Sequence, residues 1–343
     1  MKQHLNTLYV TTQGAYLSCE GEAILVRIEQ ETKMRAPIHM IGGIVCFGRV
    51  SCSPALMGLC GQRGVTISHL TEYGRFLARI EGPVSGNVLL RRAQYRHSED
   101  STKSAEIAKA VVAAKIANCR TVLQRSLRDH PDTEGAAEVR SAVDRLDRSL
   151  QKLQSTLPLD TVRGIEGESA RDYFQVFDCL ITGQKEDFFF HSRNRRPPLD
   201  NVNSLLSFVY TLLTHDARSA AETVGLDSAV GFLHRDRPGR PGLALDIVEE
   251  FRPVLGDRLV LSLINKKQVR AAGFKKSESG AILMDDATRK TVLAAYQERK
   301  QETITHPFLG EETSVGMLVH LQARLLSRFL RGDLDGYPPF IWR

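Results

Sequence analysis

The sequence predicts an α+β fold: a small β-strand-rich N-terminal domain over residues 1–85, followed by a larger all-α C-terminal domain over 86–343. Three observations predict it. From residue 5 to about 82, apolar residues come in short runs rich in Val, Ile, Tyr and Phe and separated by glycine, as in strands. Beyond the glycines of 82–86 they recur at three- and four-residue steps with charges between them, the spacing of a helix face. The length, 343 residues, exceeds one small core and falls short of three.

Taken in order, LYVTT, AYLSC, AILVRI, IGGIVCFG, GVTISHL and RFLARIEG read as strands, with one helix at PALMGLCGQRG between them. Segments 88–129 and 135–155 read as amphipathic helices. LPLDTVRGIEG reads as a break, after which SARDYFQVFDCLITG places Ala170, Tyr173, Phe174, Phe177 and Leu180 on one helical face that Gly183 ends. In HSRNRRPPLD the two prolines stop helix formation, and Asp200 caps the helix NVNSLLSFVYTLLTHDARSAAETVG, which Gly225 closes.

Composition narrows the function classes. Basic residues exceed acidic ones by only six, yet arginines gather as Arg91-Arg92, as Arg193, Arg195 and Arg196, and as Arg235, Arg237 and Arg240. Grouped guanidinium ions suit a polyphosphate partner, because Arg binds phosphate through a planar fork; the plainer alternative is a solvated surface. No apolar run reaches the roughly 18 residues that cross a bilayer, and MKQHLNTLYVTTQG lacks the apolar core of a signal peptide. The expectation is a cytoplasmic protein with no membrane partner. Six cysteines without paired short spacing read as reduced and mostly buried.

Three features could carry chemistry. Stepping back by threes and fours from Phe177 through Phe174, Tyr173 and Ala170 lands on Glu166, so its carboxylate shares the oily face while Glu168 points away. A buried carboxylate needs a partner; alternatively Glu166 is a first-turn acid facing the positive end of the helix dipole, with Arg163 beside it. In GFLHRDRPGRPGLALDIVEEFRP, residues 231–253, Ala244, Ile247, Val248 and Phe251 form a buried face, with Asp246 opposite and next to Glu249 and Glu250. Three acids on one arc are either the wet face of an amphipathic helix or the surroundings of a cation, and periodicity does not say which glutamate would be a ligand. His234, upstream in the same stretch, is either a structural hydrogen-bonding residue or an imidazole ligand. Imidazole with carboxylates suits Mn²⁺ better than Mg²⁺, and the arginines between them fit phosphoryl transfer.

The order GIEG, then a tyrosine-bearing helix, then RPPLDNVNSLLSFVYTLL, then VGLDSAVGFLHRDRPGRPGLALDIVEEFRP resembles the CRISPR-associated adaptation endonuclease/integrase family, the larger of the two proteins that insert new spacers. RPGR and LALDIVEEFRP are most similar to its subtype I-C members, and the resemblance covers nearly the whole chain. It implies that Glu166 of GIEG, His234 of GFLH, and Glu249 hold Mn²⁺ or Mg²⁺, that Asp246 accompanies them in catalysis, and that Glu250 is a wet residue. Arg163, Arg237 and Arg252 then stand where the family approaches DNA, with Arg240 in the same loop as a further DNA-binding candidate. One small departure is LALD after Gly242, where a serine is commoner.

The implied reaction is insertion of short foreign DNA fragments into a CRISPR array, by 3′-hydroxyl attack on a phosphodiester; with water as the attacking group the same site is a nuclease. Implied partners are double-stranded DNA (spacer precursor and CRISPR repeat), a second copy making a homodimer through the strand-rich domain, and a small ferredoxin-like adaptation protein. The tail GYPPFIWR, with Tyr337, Phe340, Ile341 and Trp342, is a contact for that small protein or docks on its own helical domain. Two other readings are a non-catalytic structural DNA-binding protein and a metal-dependent phosphoesterase acting on small nucleotides.

Overall fold

The computed structural model describes residues 6–82, 88–131 and 134–342. The chain divides into two compact units, Met1–Ser85 with Asp286–Glu298, and Gly86–Asp285 with Arg299–Arg343. The expected domain boundary at 85/86 itself falls outside the described residues.

The first unit holds strands β1 (Asn6–Val10), β2 (Tyr16–Glu20), β3 (Ala23–Ile28), β4 (Glu31–Pro37), β5 (Ile41–Phe47), β6 (Ser51–Cys52), β7 (Thr66–Leu70) and β8 (Phe76–Ile80), with helix α1 (Pro54–Arg63). They form two four-stranded sheets, ordered β1-β5-β7-β8 and β4-β3-β2-β6. In the first sheet β1, β5 and β7 run parallel and β8 returns antiparallel. Leu8, Ile44 and Ile67 from one sheet, Leu17 and Ile24 from the other, and Leu56 of α1 share one core. Ser53 caps α1 by accepting the Leu56 N–H, and Gly64, at φ +68°, ends it. Hydrophobic patterning misses β4: in ETKMRAP only Ala36 is buried, because an edge strand tolerates charge on nearly every position.

The remaining helices are α2 (Val88–Glu99), α3 (Ser101–Asp129), α4 (Ala136–Lys152), α5 (Leu159–Gln175), α6 (Asn201–Thr223), α7 (Gly242–Phe251), α8 (Arg258–Asn265), α9 (Asp286–Gln301) and α10 (Leu318–Leu330), with a π-helical turn over Arg252–Asp257. Two short hairpins, Phe274–Lys276 with Ile282–Met284 and Thr303–Thr305 with Glu312–Ser314, interrupt them. Most of α9 groups with the strand-rich unit, whereas the sequence reading places everything after 85 in the helical domain. Within that unit Gln297 Nε2 donates to the Thr7 carbonyl at 2.8 Å and the Arg289 guanidinium lies 5.4 Å from the centre of the Tyr73 ring.

Two helix boundaries differ from the sequence reading for identifiable reasons. The expected helix over 88–129 is broken at Asp100, whose carboxylate accepts the N–H groups of Thr102 and Lys103 and starts α3 anew. The expected break at LPLDTVRGIEG is instead the first half of α5, from Leu159 onward. Gly164 and Gly167 are exposed with open space around them. Each glycine costs about 1 kcal/mol of helix propensity, and the inward side chains Val162, Ile165, Ser169 and Tyr173 offset it by packing. The Asp200 cap forms as expected, its carboxylate accepting the Asn203 N–H at 2.7 Å, and Gly225, at φ +89°, follows the end of α6.

Helix α7 lies at the centre of the second unit, packed by α3, α6 and α10. No described helix is long and apolar enough to cross a membrane. All six cysteines are free, with Cys46, Cys60 and Cys119 buried.

Candidate active site

The amphipathic reading of α7 fails. Every residue of Gly242–Phe251 except Leu245 is buried, so the helix has no wet face, and its three acids are inside the protein. Glu250, expected to be the wet one, is 0% exposed. A helix that is covered on all sides must satisfy its polar side chains internally, and each acid does so with a different set of partners.

Asp246 serves the histidine. Its Oδ2 accepts the N–H groups of Phe232 and Leu233 at 2.6 and 3.0 Å, and its Oδ1 accepts that of His234 at 3.0 Å. The same Oδ1 lies 2.7 Å from His234 Nδ1. A carboxylate at that distance accepts from Nδ1–H, so in the neutral ring Nε2 carries the lone pair. Gly231 is needed for this approach, because a Cβ there would stand 2.7 Å from Asp246 Oδ2. His234 Nε2 in turn lies 3.9 Å from Glu249 Oε1.

Glu249 faces two cations. Arg252 NH1 lies 2.7 Å from Oε1, and Lys115 Nζ lies 2.7 Å from Oε2. Oε2 is buried and takes no well-aligned hydrogen bond, so the ammonium is its ion-pair partner alone. Burial works against ionisation of Glu249, but Arg252 and Lys115 together outweigh it and hold the carboxyl well below the usual carboxylate range. Lys115 also bonds the Glu166 carboxylate. Burial disfavours its ammonium, yet Glu249 and Glu166 hold it above the ordinary lysine range.

Thus α3, α5, the 231–234 segment and α7 bring Glu166, His234, Asp246 and Glu249 to one place. They do not form a ready cage: among the described residues no group of three His, Cys, Asp or Glu side chains stands as a metal site, and Glu166 reaches Glu249 through the Lys115 ammonium. The donor chemistry nevertheless fits a divalent cation. Two carboxylates already share one cation, one of their oxygens is short of hydrogen bonds, and the imidazole presents Nε2 while a carboxylate fixes Nδ1, the usual support of a metal-binding histidine.

The family described as CRISPR associated protein Cas1 matches residues 8–298. The chain belongs to the Cas1 family. The CRISPR-associated endonuclease Cas1 1 of Chlorobaculum tepidum is 57% identical over 343 residues, covering 100% of both proteins. Among solved structures, a casposase bound to integration product is 23% identical at a TM-score of 0.84, covering 99% of this chain and 95% of that one. A Cas6-RT-Cas1–Cas2 complex aligns at a TM-score of 0.81 and 19% identity, over 98% of this chain and 36% of that one. At these identities the structural likenesses speak for the fold, an α+β Cas1 fold with a strand-rich N-terminal part.

In this Cas1-family chain the four arginines singled out in the sequence occupy different settings. Arg163 is engaged locally: its Nε donates to the Leu233 carbonyl at 2.7 Å and its NH1 to Asp160 at 2.9 Å, so it braces the segment that carries His234. Arg252 is held by Glu249 and lies 4.9 Å from the centre of the Tyr210 ring. Exposed Arg237 and half-buried Arg240 line a cavity of about 440 Å³ together with Arg218, Val230 and Asp236. Burial and the guanidinium groups of Arg237 and Arg195 lower the pKa of Arg240, so like charges converge there and an anion would relieve them.

The tail docks on its own unit. Tyr337 and Phe340 are 7% and 0% exposed, and they secure Glu250: the Tyr337 hydroxyl donates to Oε1 at 2.5 Å, and the Phe340 N–H and Gln322 amide to Oε2 at 2.7 and 3.0 Å. Of the two alternatives for the tail, docking on its own helical domain is the one these contacts show; of the four side chains, Ile341 alone is exposed, at 40%.

Sequence reasoning overlooked Lys115, Asn118 and Asp257. Lys115 sits four residues after Val111 and four before Cys119, both buried, so a charge on an oily helical face was the available signal. Asn118 joins α7 to the tail by donating to the Glu250 and Phe340 carbonyls. Asp257 receives the hydroxyls of Tyr173 and Tyr210, a convergence of distant segments that periodicity does not encode.

Proposed function

We propose that this chain is a metal-dependent DNA integrase, inserting short foreign DNA fragments into a CRISPR array by 3′-hydroxyl attack on a phosphodiester, and acting as a nuclease when water attacks. The observation that carries the reading is the shared cation: the carboxylates of Glu166 and Glu249 meet on one ammonium, with the imidazole of His234 beside Glu249. Two carboxylates and one neutral imidazole are a donor set for Mn²⁺ or Mg²⁺.

Glu166, His234 and Glu249 would hold the ion, whose chemistry is to make the attacking oxygen a better nucleophile and to neutralise charge on the departing one. The chain supplies the rest. Asp246 keeps the proton of His234 on Nδ1 and the ring in place. Arg163 fixes the loop from Leu233. Arg237 and Arg240, with Arg218, present positive charge to the backbone of double-stranded DNA, spacer precursor and repeat. Exchange of one phosphodiester for another needs no nucleotide cofactor.

The same reading puts a homodimer contact on the strand-rich unit and takes a small ferredoxin-like protein as partner; the Cas6-RT-Cas1–Cas2 complex among the structural neighbours supports the latter. Subtype I-C membership rests on RPGR and LALDIVEEFRP. The deciding experiment incubates purified chain with a labelled short duplex, supercoiled target and Mn²⁺, with and without the small partner. Labelled strand joined to target is expected; turnover of small nucleotides with no joining overturns the reading.

A further inference from the structure

We propose that Lys115 is the built-in counter-cation of the metal-free site, and that a divalent ion binds by exchange with it. The inference rests on the metal reading above and goes beyond it. Lys115 enters from α3, 51 residues before Glu166 in sequence, and its side chain is only 8% exposed. Its ammonium contacts Glu166 Oε1 and lies 2.7 Å from Glu249 Oε2, and these are the two carboxylates assigned to the ion.

Two carboxylates brought together in a low-dielectric interior repel each other strongly, and each is costly to desolvate alone. Arg252 forms its ion pair with one of them, through Glu249 Oε1. Lys115 is the cation that meets both. The ligands are therefore held near each other before an ion arrives, and the folded unit does not depend on the ion for electrostatic balance. The same contact sets a cost on metal binding: a divalent ion that takes both carboxylates must break two ion pairs and leave a buried ammonium to find other partners. Lysine suits this role better than arginine, since a single point charge on a flexible stem withdraws more easily than a planar fork seated on two oxygens.

By linkage, removing the Lys115 charge must strengthen metal binding by the same factor that it destabilises the metal-free protein relative to the loaded one. A residue that merely organises the ligands would have the opposite effect on affinity, and a purely structural lysine would have none.

The experiment uses the full chain stripped with a chelator, and measures Mn²⁺ binding by calorimetry and by the loss of the free Mn²⁺ signal in electron paramagnetic resonance. It compares wild type with Lys115→Met and Lys115→Gln. The expected result is Mn²⁺ affinity at least tenfold tighter in both variants, a lower melting temperature without metal, and convergence on wild type at saturating Mn²⁺. Affinity that is unchanged or weaker overturns the exchange while leaving the metal reading standing. A wild-type chain that binds no Mn²⁺ removes both. Should the variants not fold, amine acetylation of the wild type, read by mass spectrometry at residue 115, takes their place: slow labelling in chelator and faster labelling with Mn²⁺ is expected, and equal labelling overturns the proposal.

Discussion

His234 Nδ1 lies 2.7 Å from Asp246 Oδ1, and that one carboxylate also accepts the N–H groups of Phe232, Leu233 and His234. A single side chain thus fixes both the ring and the backbone turn that presents it. Asp246→Asn replaces part of an all-acceptor group by an NH₂, which cannot accept from three N–H groups and Nδ1 at once. The expected outcome is a fall in strand joining and in Mn²⁺ affinity of about 10- to 100-fold, with DNA binding by fluorescence anisotropy nearly unchanged. Wild-type joining by this variant would remove Asp246 from the site.

Much of this arrangement is legible in the sequence, and the parts that are not share a cause. Glu166, His234, Asp246 and Glu249 stand out by motif order, and their elements bring them together. Glu250, a wet residue by the resemblance, lies inside because α7 is covered all round and has no wet face. The start of α5 was misplaced because Gly164 and Gly167 carry a breaker's propensity on a face where nothing packs. Lys115 and the tail contacts depend on which distant segments meet, 51 residues apart for Lys115 and Glu166 and 90 for Phe340 and Glu250, and local patterning contains no term for that.

The three assigned ligands should separate in stability while agreeing in activity. Each of Glu166→Ala, His234→Ala and Glu249→Ala is expected to reduce strand joining by on the order of a hundredfold or more and to leave DNA binding intact. Glu249→Ala also strips a partner from both Lys115 and Arg252 inside the protein, and breaking a buried pair costs about 3–5 kcal/mol. His234 is partly exposed at 17%, so its removal should cost the metal-free protein less. Urea unfolding of the three variants in chelator checks the order, with assays run well below the lowest melting temperature. Equal losses of stability would contradict the placement of Glu249 between two cations.

Asp257 makes stability depend on pH. Burial raises its carboxyl to about 6, against the opposing hydrogen bonds from Tyr210 and Tyr173, while an unfolded aspartate titrates near about 4. Between those values the folded protein keeps a proton that the unfolded chain has released. This group therefore removes stability as pH rises through the window, and the loss is complete above it. Asp257→Asn has no such titration. Its stability relative to wild type should rise by on the order of 2 kcal/mol between pH 4 and pH 7, measured by denaturant unfolding at each pH. A difference between the two proteins that stays constant with pH would show that Asp257 is ionised throughout.

The last side chains of the chain support the centre of the helical unit. Phe340 stacks on Phe251 of α7 with ring centres 5.1 Å apart, its N–H donates to Glu250, and its carbonyl accepts from Asn118. Phe340→Ala removes a fully buried ring and loosens the strap over a buried acid, so a loss of about 3–5 kcal/mol is expected. Exposed Ile341→Ala should change stability by about 0.5 kcal/mol or less. Deleting 336–343 should act on the isolated chain in the same direction as Phe340→Ala, lowering the urea midpoint before any partner is added. Because Glu250 directly follows Glu249 on α7, that loosening should also reduce strand joining at temperatures where the truncated chain is still folded. An unchanged midpoint together with lost complex formation would instead return the tail to the role of a partner contact.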